Sequence, residues 1–511
     1  MNKKILFASM GLVVLLACNE QYLADDAGVA ELKSGNGKNF ESVTFTQSGS
    51  VDIGNAGAAE ISAFDPSTNK LFVVNNDGDS KIDVVDLSDP ANLVFIESID
   101  ISAYGSGVNS VDVKNGLLAA AIEASIKTDN GKVVVFETLG YSVIASVEVG
   151  ALPDMVTFTP DGRYILSANE GEPNDAYTVD PVGTVSIINV TKGFSVNTLD
   201  FSGFESQQTK LKSEGFRIFG KNASFAQDIE PEYITVSENS KKAWVSLQEN
   251  NAIAEIDINS QTIVKILPLG FKDYSLQQNS IDPSNEDGGV NFGTWPVYGM
   301  YQPDGIAVLA NNNVPFVFTA NEGDSRAYKG FSEEVRIGNN AVVLDAVVFP
   351  NAVFLKQKEN LGRLNITNTL GDIDGDGDYD KLYSYGARSF SIWHGLTGKQ
   401  IYDSGDFLDK TAVLEGSYDD ARSDDKGVEP EAVVTGRVGN KNLLFVGMER
   451  ADAVAIYDVT NPVKPKYLQW LKCGDAPEGI IFIPAEESPV GKSLLVVSSE
   501  NDGVVNVFIT I

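Results

Sequence analysis

The sequence predicts an all-β chain folded as a seven-bladed β-propeller with long loop insertions, closed by an N-terminal strand. Three observations predict it. Seven units each open with an acidic residue or Asn leading into an apolar run, at Ala59-Glu60-Ile61, Val108-Asn109-Ser110, Pro153-Asp154-Met155, Pro231-Glu232-Tyr233, Pro303-Asp304-Gly305, Pro430-Glu431-Ala432 and Pro477-Glu478-Gly479. Each opening is followed by a second apolar run, and most units carry a third, which gives three or four strands in a period of roughly 40 residues, the signature of propeller blades. Sustained 3.6-residue apolar periodicity is nearly absent, so a two-domain α/β fold has little support.

The chain starts with a basic stretch, Met1 to Lys4, and an apolar stretch, Ile5 to Ala17, too short for a mature membrane span and right for a signal peptide over residues 1–17. Leu15-Leu16-Ala17-Cys18 resembles a bacterial lipoprotein processing site. Cleavage before Cys18 and lipid attachment to it are expected, which would tether a soluble body to the cell envelope, on the periplasmic face or at the cell surface. An ordinary secretory signal with a chance cysteine is the alternative. Residues 18–40 are polar and aperiodic, as a flexible tether is, and residues 41–511 make up the propeller. An alternating strand from Phe40 to Gln47 belongs to no unit and is expected to complete the last one, which has only three runs of its own. The fifth unit resumes at Ser389-Phe-Ser-Ile-Trp393 and Gln400-Ile-Tyr-Asp403, after an insertion over about 325–380. Other insertions span about 200–228, 271–299 and 405–428, rich in Gly and Asp, where function tends to sit on a rigid scaffold.

Composition narrows the chemistry. The net charge of −33 repels nucleic acid and anionic lipid and suits cations. Cys18 and Cys473 are the only cysteines, so a lipidated chain has no internal disulfide, and a monomer is expected. His394 is the only histidine, which argues against a multi-His zinc site, and its place beside Trp393 on an expected strand argues against a Ser-His-Asp triad. Gly491-Lys492-Ser493 lacks the upstream glycine of a phosphate loop.

In a propeller, the start of strand one and the end of strand two of every blade lie near one mouth of the central channel. Strand one is opened by Glu60, Asn109, Asp154, Glu232, Asp304, Glu431 and Glu478; strand two is followed by Asp77, Glu123, Glu170, Glu249, Glu322, Glu449 and Glu500. Thirteen of these fourteen positions are carboxylates, so one face is expected to be strongly negative. Two readings are open: the ring binds a hard cation such as Ca²⁺, or its members bond to turn backbone and solvent. Arg326 and Arg450 follow two of the glutamates and are candidates for anion contacts or ion pairs. A separate signal is Asp372-Ile-Asp374-Gly-Asp376-Gly377-Asp378-Tyr-Asp380, where carboxylates on alternate residues with a Gly in the sixth place can fold around Ca²⁺. Position twelve is Tyr383 rather than Glu, so a calcium-stapled loop, or an unfilled acidic turn, is expected in place of an EF-hand. Asp282, Asn285 and Asp287 form a weaker candidate of the same kind.

Several long phrases carry a family resemblance: Phe216-Arg-Ile-Phe-Gly, Gln227-Asp-Ile-Glu-Pro-Glu-Tyr, Thr294 through Ala307, Thr319-Ala-Asn-Glu-Gly-Asp-Ser-Arg, Gly371 through Asp380, Gly386-Ala-Arg-Ser-Phe-Ser-Ile-Trp and Arg422-Ser-Asp-Asp-Lys-Gly. Over about residues 41–511 the chain resembles the bacterial choice-of-anchor I proteins, relatives of mesenchyme-specific cell-surface glycoproteins. The resemblance implies a surface-anchored, propeller-type protein. Some relatives carry an alkaline-phosphatase label, and the animal branch is linked to calcium mineral. It transfers no catalytic residue. Two functions follow as expectations: a lipid-anchored calcium-binding protein that holds a ligand or partner at the acidic mouth, or a calcium-dependent phosphomonoesterase in which clustered carboxylates hold Ca²⁺ and the ions activate water.

Overall fold

The computed structural model describes residues 43–511; the expected signal peptide, Cys18 and the tether lie outside the described residues. The described chain is all-β with a few short helices, and seven of its sheets are four-stranded and antiparallel. The first four run consecutively: Ala58–Asp65 to Val94–Asp100, Gly107–Lys114 to Val143–Ala151, Pro153–Phe158 to Ser195–Asp200, and Pro231–Val236 to Thr262–Pro268. The fifth joins Ile306–Asn311 and Val314–Asn321 to Ser389–His394 and Gln400–Asp403, across the expected insertion. The sixth runs from Pro430–Val438 to Lys466–Lys472. The seventh takes Pro477–Ile483, Leu494–Ser499 and Val504–Thr510, with the N-terminal strand Phe45–Asp52 paired antiparallel to the last of them. That N-terminal strand lies about five residues beyond the Phe40 to Gln47 expected from alternation. The pairing begins with Phe45 facing Thr510, and the Thr44 carbonyl accepts from the Ile511 amide at 3.1 Å; Phe40 lies outside the described residues.

Burial within each sheet is graded. Second strands such as Lys70–Asn75 and Tyr164–Asn169 are buried on both faces after their first residue, so they read as continuous apolar runs. Fourth strands such as Val94–Asp100 and Ser195–Asp200 are mostly exposed, which is why their sequence lacks a clear pattern. Neighbouring sheets pack face to face through separate apolar clusters. Phe72 and Val84 of the first meet Leu118 and Val134 of the second, and the series continues until Val496 and Val507 of the seventh meet Leu71 and Val73 of the first. A cavity of about 370 Å³ is lined by the first strands or their entries from all seven sheets, among them Ile61, Asn109, Met155, Tyr233, Gly305, Ala432 and Ile480.

The insertions are more ordered than loops. Segments 271–300 and 334–384, which extend slightly past the expected insertions 271–299 and 325–380, combine into one five-stranded sheet, in the order Phe271–Asp273, Tyr298–Met300, Tyr383–Ser384, Asn365–Thr367, Glu334–Arg336. It has its own core of Tyr274, Ile281, Ile337, Leu361, Leu364, Ile366 and Leu382. The expectation of two independent loops is thus corrected: neither segment has enough apolar residues to fold alone, and each completes the other. In 200–228 and 405–428, the helices Gln208–Ser213 and Phe407–Glu415 bury Leu211, and Leu408 with Ala412, against neighbouring sheets. Among the described residues no helix is long and apolar enough to cross a membrane.

Phe45, buried at 2% exposure, meets the Phe445 ring edge-on at 5.3 Å between centroids. Phe45→Ala is expected to lower the unfolding free energy by about 3 to 5 kcal/mol in guanidinium denaturation. A loss below about 1 kcal/mol would mean that the N-terminal strand adds little to the seventh sheet.

Candidate functional site

The ring positions are set by a backbone device that repeats. Leu152, Gln302, Glu429 and Ala476 each precede a proline and hold left-handed φ values of 47°, 38°, 50° and 57°. Both the proline that follows and the Cβ disfavour that conformation, so it must be imposed by the surroundings. The imposing contact is a hydrogen bond from the end of the sheet's second strand. Glu170 N donates to the Leu152 carbonyl at 2.8 Å, Gly323 N to Gln302 at 3.1 Å, Glu449 N to Glu429 at 2.9 Å and Glu500 N to Ala476 at 2.9 Å. Each bond draws the end of strand two against the start of strand one, so two carboxylates separated in sequence become neighbours.

A second device aims the side chains. Six of the seven first strands shift register at their ring residue: around Glu60, Asn109, Asp154, Glu232, Glu431 and Glu478. A bulge leaves the extra residue unpaired and turns it off the alternating pattern. Asp304 lies just before its strand, Ile306–Asn311. Asp154, Asp304, Glu431 and Glu478 line the central cavity together with Asn109.

Three groups of carboxylates come close enough to share an ion, each contributing oxygens that lie within 4.8 Å of one another: Glu170 with Glu232 and Glu249, Asp304 with Glu322 and Glu431, and Glu322 with Glu429 and Glu449. Burial is the first cause that raises the pKa of Glu60 to about 8, with the Glu500 and Asp154 charges adding to it and a hydrogen bond from Asn76 opposing. Glu449 rises to about 7 by burial and then by Glu322 and Glu429. Asp324 also rises to about 7, chiefly by burial, with Lys426 opposing. Asp154 rises to about 6, and burial holds Glu170, Glu232, Asp304, Glu431 and Glu478 well above the usual carboxylate range. Oε2 of Glu232, Glu249, Glu431 and Glu478 is buried without a hydrogen-bond partner among the described residues. That is the condition a bound cation relieves, and hard oxygen donors without thiolate or imidazole fit calcium.

Not every ring position joins. The Asp77 carboxylate accepts from the Asn55 amide and side chain, and Glu123 from Ser106, so these two serve their local turns. Arg326 is 1% exposed and its guanidinium is taken up by Asp228 and Glu230, with Nη2 lying 3.0 Å from Glu230. The anion-contact role considered for Arg326 is therefore replaced by the ion-pair role. Arg450 pairs with Glu449 at 2.7 Å. Residues that the sequence pattern did not single out complete the face. Lys426 pairs with Glu322 and lies 3.1 Å from Glu429, and Arg422 lies 2.6 Å from Glu429. Arg217 pairs with Glu333, and the Arg217 and Arg326 guanidinium carbons each lie over the Phe219 ring, 3.9 and 4.5 Å from its centroid. The signal for them lay in the long phrases Phe216 to Gly220, Gln227 to Tyr233, Thr319 to Arg326 and Arg422 to Gly427, whose charged residues converge here.

The aspartate loop divides in two. Asp372, Asp374 and Asp380 form one group, and Asp378 and Asp380 form another with Asp345, a residue sequence spacing could not supply. Asp376 joins neither; its Oδ1 accepts from Asp378 N at 3.2 Å. Gly375 and Gly377 have φ values of 82° and 98°, which permit the tight turns, and Asp372 caps both of their amides. Asp378 Oδ1 is without a hydrogen-bond partner, so this loop also fits a hard cation. The weaker candidate turns inward: Asp282 accepts from Ser284 and Asn291 amides, Asn285 Oδ1 accepts from Arg363, and Asp287 from Asn291. His394 ends a strand and its Nδ1 accepts from the Leu396 amide, a packing role.

The raised carboxylates carry a stability consequence. A carboxyl whose pKa is higher folded than unfolded binds more protons in the folded state, so stability falls as pH rises through that window. For Glu60 the window runs from about 4.5 to about 8 and for Glu449 from about 4.5 to about 7. In chelator, the melting temperature is expected to fall steadily from pH 5 to pH 8. A melting temperature that is flat or rising across that interval would contradict the burial of these groups.

The choice-of-anchor I domain of known protein families matches residues 60–462, more than half of the chain. Gigasin-3a of Magallana gigas is 31% identical over 182 residues, covering 29% of this chain and 64% of its own length. The mesenchyme-specific cell surface glycoprotein of Strongylocentrotus purpuratus is 27% identical over 279 residues, 46% of this chain and 35% of its own. The chain thus spans less than two thirds of the length of either relative. Among solved structures, Kuenenia stuttgartiensis hydrazine synthase is similar at 13% identity and a TM-score of 0.49, covering 89% of this chain and 96% of that one. The β-propeller domain of Myceliophteria thermophila Cps50 (Swd1) is similar at 8% identity and a TM-score of 0.45, covering 90% and 98%. By the extent of the domain match, the chain belongs to the choice-of-anchor I family.

Proposed function

We propose that this protein is a surface-associated calcium-binding propeller. In this reading its seven four-stranded sheets are blades around one channel, the strand Phe45–Asp52 closes the seventh, and Cys18 carries the lipid that holds the body at the cell envelope. The acidic mouth takes up calcium, and the ion gives a ligand or partner its point of attachment. The observation that carries the reading is the crowd of buried carboxylate oxygens at the mouth that no donor satisfies, on Glu232, Glu249, Glu431 and Glu478. Family membership supports the surface location, and the sea-urchin relative is named as a cell surface glycoprotein. The Asp372 to Asp380 loop with Asp345 would hold a second calcium, fixing the insertion that completes the five-stranded sheet.

A phosphomonoesterase draws no support from the basic groups of the mouth. Lys426 and Arg450 are both engaged by carboxylates, which leaves them ill placed to hold a phosphate.

Addition of calcium to chelator-treated protein is expected to raise its melting temperature, more at pH 8 than at pH 5, because ionised carboxylates bind the ion and protonated ones do not. Metal analysis after dialysis is expected to find calcium bound. Protein that retains no calcium and melts alike with calcium and with chelator would end this reading.

A further inference from the structure

We propose that Glu170, Glu232 and Glu249 are the ligands of one hard divalent cation of the calcium class, at a part of the mouth where none of the three carboxylates stands in a described ion pair. This assignment rests on the reading of the mouth as a cation-binding ring and locates the ion within it. One carboxylate oxygen from each of the three residues lies within 4.8 Å of the other two. Glu232 is 7% exposed and Glu249 3%, and Oε2 of each has no hydrogen-bond partner among the described residues. A buried carboxylate oxygen without a donor is costly, and two of them beside a third carboxylate are relieved by a proton or by a positive charge between them.

Another part of the mouth shows what happens where the chain supplies that charge itself. Around Glu322, Glu429 and Glu449, the Lys426 ammonium contacts Glu322 and Glu429, Arg422 reaches Glu429 at 2.6 Å and Arg450 reaches Glu449 at 2.7 Å. Asp304 and Glu431 share the Glu322 cluster, and the Lys426 charge acts on Asp304. None of the described ion pairs involves Glu170, Glu232 or Glu249; Lys127 pairs with Glu172, and Arg217 and Arg326 with Glu333, Asp228 and Glu230. The Glu322, Glu429 and Glu449 group is therefore met by basic side chains, whereas no member of the Glu170, Glu232 and Glu249 group stands in a described ion pair.

The backbones of the three ligands are held independently of any ion. Glu170 N is tied to the Leu152 carbonyl, Arg217 Nη1 donates to the Glu249 carbonyl at 3.0 Å, and Glu232 follows Pro231 at a register shift. Three carboxylates with no histidine or cysteine select calcium, magnesium or manganese over zinc or copper.

Calcium binding to the full-length protein, titrated by calorimetry with CaCl2 alone and counted by equilibrium dialysis, separates the possibilities. Glu232→Gln/Glu249→Gln is expected to bind one calcium fewer per chain than the wild type. Asp304→Asn/Glu431→Gln is expected to keep that ion, and Asp378→Asn/Asp380→Asn to lose only the loop ion. In chelator the Glu232→Gln/Glu249→Gln protein is expected to melt no lower than wild type, since the change relieves repulsion; a purely structural role would lower it. The assignment is overturned if that variant binds as many ions as the wild type, if it melts lower in chelator, or if the ion disappears with Asp304→Asn/Glu431→Gln instead. Wild-type protein that binds no calcium at all would overturn both this assignment and the wider reading of the mouth.

Discussion

Mutual repulsion of carboxylates in a site partly closed to water is the constraint on which the mouth of this fold depends. Two ionised carboxylates with oxygens less than 4.8 Å apart repel by about 3 to 4 kcal/mol at an effective dielectric constant of ~20. The mouth holds three such groups, and burial adds a desolvation cost to each member. Relief comes from protons, from basic side chains or from a metal ion. The structure uses ion-paired basic side chains around Glu322 and Glu429, while on the Glu170 side the Lys127 charge acts without an ion pair to Glu170, Glu232 or Glu249.

The scaffold enforces the crowding rather than permitting it. Pre-proline residues with left-handed φ values, each fastened by an amide from the neighbouring strand end, press strand starts and strand ends together. Register shifts at the first strands then turn the acidic residue away from ordinary alternation. Strain repeated at equivalent places in several sheets is costly, and at Glu429 and Ala476 it leads directly into Glu431 and Glu478, whose Oε2 atoms are unsatisfied.

Much of this was legible in the chain. Six of the seven opening phrases lie in the first strands of their sheets and the fifth, Pro303-Asp304-Gly305, lies just before its strand; most are marked locally by a proline or a bulge residue, and the buried second strands are continuous apolar runs. Fourth strands were not legible, since a mostly exposed strand such as Val94–Asp100 has no reason to alternate. The five-stranded sheet was missed because its strands are two or three residues long and come from segments up to a hundred residues apart, such as Phe271–Asp273 and Tyr383–Ser384. At the site, the ring of acids was visible as a repeat, but its division was not. Lys426 reaches Glu322 across about a hundred residues of sequence, and Asp345 joins Asp378 from outside the aspartate motif. Arg326 looked available next to Glu322, yet it is fully taken by Asp228 and Glu230 from another loop.

In the proposed reading, a surface protein of this family presents an acidic face on which the Glu322, Glu429 and Glu449 group is met by basic side chains and the Glu170, Glu232 and Glu249 group is not ion-paired. The most direct test is a crystal structure of the protein grown with calcium, with the ion located by anomalous scattering. A peak between Glu170, Glu232 and Glu249, with carboxylate oxygens at about 2.3 to 2.6 Å, is the result this account predicts. A mouth with no anomalous peak, in crystals whose aspartate loop is occupied by calcium, would contradict it.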